Sequence, residues 1–358
     1  MDIENKEIPG ACSCMTLTSK TGKHYWFRTC DIDNDIWKEG AHVVHKKVGE
    51  KVVYGDGKEE KIAYDYMGMT YNLSDTWVLD GINRWGLTGG LLMLQEGTGV
   101  DQADEERDGY IGMELVTKIL SSCKNVEQIL TLVKRIRVLN IPYKNTVVPP
   151  TMHYFFVDSH GNEVILEATD LENPGIFRIF PKEEILGVMT NSPPYEKQMQ
   201  NLSWFLSQSP EMKQAVKENT LGKLQFEGRE IEADEKAEHV SLNGTFPGSF
   251  CSHDRFIRLA IMKALNYCGN FFEDEKMLAL GSGIMNVVCE PDSQGVFHYT
   301  RLDDSGRVIG RKHNYTQYVI MYDIDKLCFY RKKFDEVLWK KYTLDGINER
   351  NERLGDCL

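Results

Sequence analysis

The pattern of apolar and polar positions changes abruptly after the first eleven residues, which are polar and end in Ile8-Pro9-Gly10-Ala11. Cys12 to Thr18 alternates, Thr21-Gly22 marks a turn, and His24 to Thr29 is rich in β-forming aromatics. This predicts a hairpin at the start of the globular body. A second strand pair is expected at Trp77–Leu79 and Gly89–Leu94, joined by the turn-like Asp80-Gly81-Ile82-Asn83. After an acidic loop, Asp101 to Asp108, Leu and Ile recur at three- and four-residue spacing over Met113–Leu120 and Val126–Leu139, predicting two helices.

The clearest hairpin runs from His153 to Val157, turns at Asp158–Gly161 and returns through Val164–Leu166. Strands are expected at Ile176–Phe180 and Ile185–Thr190, then a polar surface excursion over 206–245. Helices follow at 254–267 and 273–287, and strands near Val296–Leu302, Thr316–Asp323 and Leu327–Arg331. Strands, helices, strands, helices, strands is an α+β order, with antiparallel sheets stacked and helices outside. No repeat, low-complexity tract or linker divides the chain, so one domain is expected.

Composition removes several classes of function. The 358 residues are 41% hydrophobic and 27% charged, enough for a large core without a disulfide or metal staple. No stretch approaches the ~20 apolar residues of a membrane span. The net charge of −12 argues against a phosphate-backbone partner. Nine cysteines without framework spacing fit a reducing compartment, and the charged N-terminus is no secretory signal. The expected location is the cytoplasm, and the Asn-x-Ser/Thr sites at Asn72, Asn201, Asn243 and Asn314 read as chance matches.

Most candidate motifs have bland explanations. His42-x-x-His45 lies in an extended region, and Cys12-x-Cys14 has no second Cys/His pair at ligand spacing. Gly281-Ser282-Gly283 sits in a helical pattern and suits close helix packing better than a phosphate loop. The 101–108 run reads as a solvated loop. No metal or organic cofactor is expected. Cys12 is different, because it begins a strand behind a short leader and follows a small residue. A thiol at the first position of a mature chain has its own α-amine, whose pKa near ~7.7–8 suits a general base. A buried strand cysteine behind a frayed terminus is the plainer alternative.

The blocks that follow decide between them. Phe27-Arg28-Thr29-Cys30-Asp31-Ile32 stands at a set interval after Cys12. Then come Asp80-Gly81-Ile82-Asn83 with Gly86-Leu87, and Met152-His153-Tyr154 through Asp158. Gly187-Val188-Met189-Thr190-Asn191-Ser192-Pro193, Phe246-Pro247-Gly248-Ser249-Phe250 leading into Asp254-Arg255-Phe256, and Tyr315-Thr316-Gln317-Tyr318 complete the series. In this order and spacing, from Cys12 to about residue 331, the chain resembles the choloylglycine hydrolase family. These are N-terminal-nucleophile amidases that include bile salt hydrolases and penicillin V acylases. The resemblance implies a four-layer αββα sandwich, removal of residues 1–11 as a propeptide, and a single catalytic domain over 12–358.

It also implies roles. Cys12 is the nucleophile, since Cys14 makes the interval to Arg28 two residues too short. Arg28 would stabilise the thiolate; otherwise it is a strand-end arginine. Asp31 would accept from the α-amine; otherwise it is a turn aspartate. Asn191 would supply a side-chain donor to an oxyanion hole; otherwise it forms an Asx turn before proline. Arg255 would complete the charge network, or be an ordinary helix-start residue. Met93 stands where bile salt hydrolases have Asn and penicillin V acylases Tyr. Its backbone N–H can still serve the oxyanion hole, but the side chain that marks either activity is absent.

The implied activity is hydrolysis of a linear amide with a hydrophobic acyl group, through an acyl-thioester. The implied partner is a small N-acyl amide, with neither nucleic acid nor membrane. Homo-oligomerisation is open, because 206–245, the assembly segment of some relatives, matches poorly. Acyl preference would lie in loops near 60–75, 93–112 and 141–149. The rival outside this class is a catalytically silent binding protein on the same fold, and a thiol metal or redox protein is more distant.

Overall fold

The computed structural model describes residues 10–33, 35–71, 75–104, 106–142, 151–208, 224–226, 229–231, 247–266, 272–292, 299–302, 308–312 and 314–352. Fourteen strands form two seven-stranded antiparallel sheets. In chain order they are β1 (Gly10–Thr18), β2 (His24–Ile32), β3 (His42–Lys46), β4 (Tyr66–Thr70), β5 (Asp80–Asn83), β6 (Thr88–Met93) and β7 (Met152–Val157). They continue as β8 (Glu163–Glu167), β9 (Arg178–Pro181), β10 (Val188–Thr190), β11 (Tyr315–Asp323), β12 (Cys328–Lys333), β13 (Trp339–Thr343) and β14 (Gly346–Glu352). The first sheet runs β10-β1-β2-β11-β12-β13-β14, and the second is a meander in strict chain order from β3 to β9.

Helices α1 (Leu115–Ser122) and α2 (Val126–Leu132) cover the outer face of the second sheet. Helices α3 (Tyr195–Gln208), α4 (Ser252–Asn266) and α5 (Asp274–Met285) cover the first sheet. Both faces of each sheet are therefore buried, which explains near-continuous apolar strands such as Met152–Val157. Phe155 and Val157 point between the sheets, while Tyr154 and Phe156 point at the α1–α2 layer. This is the expected αββα sandwich.

Gly281 is a packing residue of α5, as expected. A Cβ there would stand 2.1 Å from the Phe27 ring of β2, whereas Gly283 faces open space. The acidic loop is solvated, and Asp104 pairs with Arg107 and Arg137 at 3.3 and 3.2 Å.

Two local expectations fail for identifiable reasons. Asp80–Asn83 is strand β5 rather than a turn, because its polar side chains are buried and partnered. Asn83 Nδ2 donates to the carbonyls of Leu120 and Cys123 at 2.9 and 2.7 Å, and its Oδ1 accepts from Trp85 and Leu87 N–H groups. The turn falls at 84–86, where Gly86 takes φ +77°. The helix from Val126 stops at Leu132, and Ile136–Leu139 forms a short parallel pair with Asp108–Ile111. Strands β9 and β10 are edge strands of different sheets, and the chain crosses layers between them at Gly187, with φ +62°.

Strands β4, β13 and β14 and helix α3 carry weaker patterns and escape the reading of periodicity. The segment 206–245 begins as the end of α3 and includes a small pair at Leu224–Phe226 and Arg229–Ile231; its remainder lies outside the described residues. Of the leader, Gly10 and Ala11 are described, as the first residues of β1.

Candidate active site

Strand β1 lies between β2 and β10, and register decides what meets Cys12. Ser13 pairs with Thr190, so Asn191, one residue beyond β10, falls beside Cys12. Gln198 of α3 anchors that point, its Nε2 donating to the Asn191 carbonyl at 3.0 Å. Asn191 Oδ1 accepts the Cys12 backbone N–H and, at 3.1 Å, Arg255 Nη2. Two donors converge on that oxygen, which fixes the amide's orientation. Nδ2 is left to donate to the Met93 carbonyl at 3.0 Å and keeps a second hydrogen.

Arg255 comes from the first turn of α4. Ser249 N–H donates to Asp254 Oδ2 at 2.9 Å, and Arg258 Nη1 donates to the Pro247 and Ser249 carbonyls at 2.5 and 2.6 Å, which seats the helix start. From there Arg255 Nη1 reaches the Cys12 carbonyl at 2.7 Å and Ser13 Oγ at 2.6 Å. Its Nε stands 3.6 Å from the buried carboxylate of Glu290.

Arg28 approaches from the second side. Its Nη2 donates to Cys12 Sγ at 3.6 Å, while Nη1 donates to Asp80 Oδ2 at 2.8 Å and the Leu79 carbonyl at 3.0 Å. Asp80 also accepts the Tyr318 and Tyr322 hydroxyls at 2.7 and 2.6 Å. This buried lock fastens β2 to β5 across the two sheets. Asp31 sits on β2 with both oxygens engaged, by Thr29 Oγ1 at 2.8 Å and Thr316 Oγ1 at 2.6 Å.

The consequence is electrostatic. A hydrogen bond from the Cys30 thiol lowers the Cys12 pKa most, and burial opposes it. Arg28 and the Asp31 backbone N–H bring the net result well below an ordinary thiol. Cys14, two residues on, is driven well above by burial. Burial, reinforced by the charges of Glu290 and Cys12, holds the Asp31 carboxyl well above the usual carboxylate range. Burial also pushes Glu290 up to about 7. The site therefore favours negative charge on one sulfur.

All the residues read from sequence, Cys12, Arg28, Asp31, Met93, Asn191 and Arg255, gather here. Two main-chain contacts add to this picture. With residues before it still attached, the Cys12 nitrogen is a strand amide that donates to Asn191 Oδ1. Met93 meets Asn191 through its carbonyl oxygen. Sequence reasoning missed Cys30, Asp80, Glu290, Thr316, Tyr318 and Tyr322 as members of the site. Hairpin register from the turn at Thr21-Gly22 would have found Cys30, which is paired directly with Cys12. Glu290 carried no signal. His42 bonds the Gly40 carbonyl at 2.7 Å on the surface. Among the described residues no group of three or more His, Cys, Asp and Glu side chains could hold a metal.

Stacked antiparallel sheets with a reactive-type residue on the first strand are the architecture of N-terminal-nucleophile hydrolases. The protein has that fold and is an enzyme that hydrolyses linear amide carbon–nitrogen bonds. The chain belongs to the linear amide C–N hydrolases of the choloylglycine hydrolase family, whose model it matches over residues 12–352. It is 25% identical over 262 residues to a bile salt hydrolase/transferase of Clostridium perfringens, covering 70% of this chain and 71% of that one. Its fold is similar to that of a conjugated bile acid hydrolase mutant from the same organism, at TM-score 0.69 and 20% identity, with 96% of each chain covered. A penicillin V acylase from Agrobacterium tumefaciens is similar at TM-score 0.61 and 18% identity, with 94% and 93% covered. Among the described residues no helix is long and apolar enough to cross a membrane.

Proposed function

We propose that this enzyme is a cysteine amidase that uses Cys12 as nucleophile, acting in the cytoplasm on small N-acyl amides with a hydrophobic acyl group. The observation that carries the reading is the convergence of Arg28, Cys30 and the Asp31 N–H on the Cys12 sulfur, while Cys14 is left neutral. Maturation comes first. The Cys12 thiol attacks the Ala11 carbonyl, the Ala11–Cys12 amide rearranges to a thioester, and water releases residues 1–11. The freed α-amine then takes the thiol proton. Sulfur attacks the substrate carbonyl, and the developing oxyanion is met by the remaining Asn191 Nδ2 hydrogen and the Met93 N–H. Collapse expels the amine, protonated by the α-ammonium. Water, activated by the same amine, then hydrolyses the acyl-thioester.

Relatives named for bile salts and for penicillin V suggest where the acyl group lies, a steroid, aryloxyacetyl or fatty-acyl unit. Met93 supports neither relative's side-chain recognition over the other. A silent binding protein on this fold would have no use for an ionised sulfur, so the intact cluster favours catalysis. Intact mass of purified protein is expected to show a chain beginning at Cys12. The matured protein is then assayed against glycocholate, taurocholate, penicillin V and an N-acyl-homoserine lactone. Turnover of at least one is expected. A fully active chain retaining residues 1–11 defeats the α-amine mechanism, and a matured chain inert on all four defeats the substrate class.

A further inference from the structure

Beyond its hydrogen bond to the Cys12 sulfur, Cys30 makes and breaks no bond in amide hydrolysis, yet it is placed against the nucleophile. Cys12 and Cys30 are direct partners across β1 and β2, and both are buried. The Cys12 N–H goes to Asn191 and its carbonyl accepts from Arg255, so neither main-chain group bonds across to β2. The pair is therefore of the non-hydrogen-bonded kind, in which Cα atoms stand roughly 4.5 Å apart and side chains come closest. A disulfide bridges Cα separations of about 4.4–6.8 Å, so the strands need not move to accept one.

We propose that Cys30 is the resolving thiol of Cys12, forming with it a disulfide that silences the site reversibly when a hydroperoxide-class oxidant enters. The Cys12 thiolate attacks the terminal peroxide oxygen. The S–O bond forms, the O–O bond breaks, and hydroxide or alkoxide departs, leaving a sulfenic acid. The Cys30 sulfur then attacks Cys12 sulfur, the S–S bond forms and the S–O bond breaks. The departing hydroxide takes the Cys30 proton as water. Two thiols have lost two electrons, and the peroxide has gained them.

The electrostatics support the order of events. Cys30 is held well above an ordinary thiol, first by its hydrogen bond to Cys12 and then by burial and the Cys12 charge, whereas Arg28 pulls it down. Cys12 is thus the thiol that meets the oxidant. Once it is a neutral sulfenic acid, the two restraints due to its charge vanish. Arg28 remains to stabilise a thiolate on Cys30. A resolving partner also diverts Cys12 from sulfinic acid, which thiol reductants do not reverse.

The cross-link rests on the register alone, and the silencing rests on Cys12 being the nucleophile. The test separates the two. Trypsin leaves Cys12 and Cys14 on one peptide, so the protein is made in a Cys14→Ser background. The reduced enzyme is treated with hydrogen peroxide, denatured with N-ethylmaleimide and digested without reductant. The expected product is the peptide of Cys12 joined to that of Cys30, with turnover lost on oxidation and regained with dithiothreitol. In Cys30→Ser the same oxidation should give Cys12 sulfinic acid and a loss that dithiothreitol does not restore. Maleimide on Cys30 of oxidised protein, with Cys12 carried to sulfinic acid, overturns the proposal. The peptide map of the Cys14→Ser background decides the matter even if Cys30→Ser does not fold. A reduced enzyme without turnover that still forms the cross-link would defeat the catalytic reading and leave the pairing intact.

Discussion

Arg255 Nη1 donates to the carbonyl oxygen of Cys12 at 2.7 Å, from 243 positions further along the chain. The same guanidinium holds Asn191 Oδ1 through Nη2. One side chain on α4 therefore sets the peptide that follows the sulfur and the amide that faces it. The fork is what matters, because two acceptors, one on β1 and one just beyond β10, are held by two nitrogens of a rigid plane.

Arg255→Lys keeps the charge and loses the fork. Hydrogen bonds to a charged group are worth about 1.5–3 kcal/mol. If they are expressed in the transition state, kcat falls by roughly 10–150-fold, at 1.36 kcal/mol per decade. Steady-state kinetics with intact-mass control of maturation reads this directly. A lysine enzyme as fast as wild type would remove Arg255 from the positioning of Cys12.

The two neighbouring cysteines differ in how they meet electrophiles. Cys12 lies well below the ordinary thiol range near ~8.5, so it stays ionised and alkylates rapidly with iodoacetamide as pH is lowered toward neutrality. Cys14 is raised and stays inert over the same range. Peptide mapping against pH distinguishes them. Cys12→Ser should abolish turnover and Cys14→Ser should keep it; the reverse result shifts the nucleophile by two residues.

Asn191→Ala separates an oxyanion donor from a merely structural amide. Loss of one such donor lowers kcat by roughly 10²–10³, about 2.7–4 kcal/mol, with KM nearly unchanged. Met93→Leu touches only a side chain whose main-chain atoms are used, so kcat should hold and substrate preference alone should move. A mild Asn191→Ala beside a crippled Met93→Leu would mean that the donors are elsewhere.

Asp80 is expected to govern folding more than turnover. Asp80→Ala leaves the buried Arg28 guanidinium without its counter-ion and strips the Tyr318 and Tyr322 hydroxyls of an acceptor. Breaking a buried pair in this way costs about 3–5 kcal/mol. Urea unfolding should show a lower midpoint at constant slope. A midpoint equal to wild type would show that the lock adds nothing to the fold.

Much of the architecture is legible in the sequence because apolar periodicity and turn chemistry agree locally. The β1–β2 and β7–β8 hairpins and helices α4 and α5 are such cases. Strand β5 is not, since Asp80 and Asn83 are turn-forming types until their long-range partners are known. The six site residues are legible from ordered motifs, each too weak alone. Asp80 lies within one of those motifs, but nothing local says that Arg28, Tyr318 and Tyr322 converge on it. Glu290 meets Arg255 only through tertiary packing, and no spacing along the chain announces that.

The place of β11 in the first sheet has a consequence for biosynthesis. Strand β2 carries Arg28 and Asp31, and its free edge is completed by β11. The Thr316 hydroxyl lies 285 positions after the Asp31 carboxyl that it binds, and Tyr318 and Tyr322 are as late. At about 5–20 residues per second, a ribosome takes roughly 15–60 s to cover that interval. Throughout it, β2 lacks the strand that completes its edge, and Asp31 and Asp80 lack the hydroxyls that hold them. A product ended prematurely before β11 would carry Arg28, Cys30 and Asp31 on a strand with one edge open and without the hydroxyls of Thr316, Tyr318 and Tyr322. The frame that holds the nucleophile's neighbours is thus closed by the tail of the chain, and only copies that extend through β11 have it.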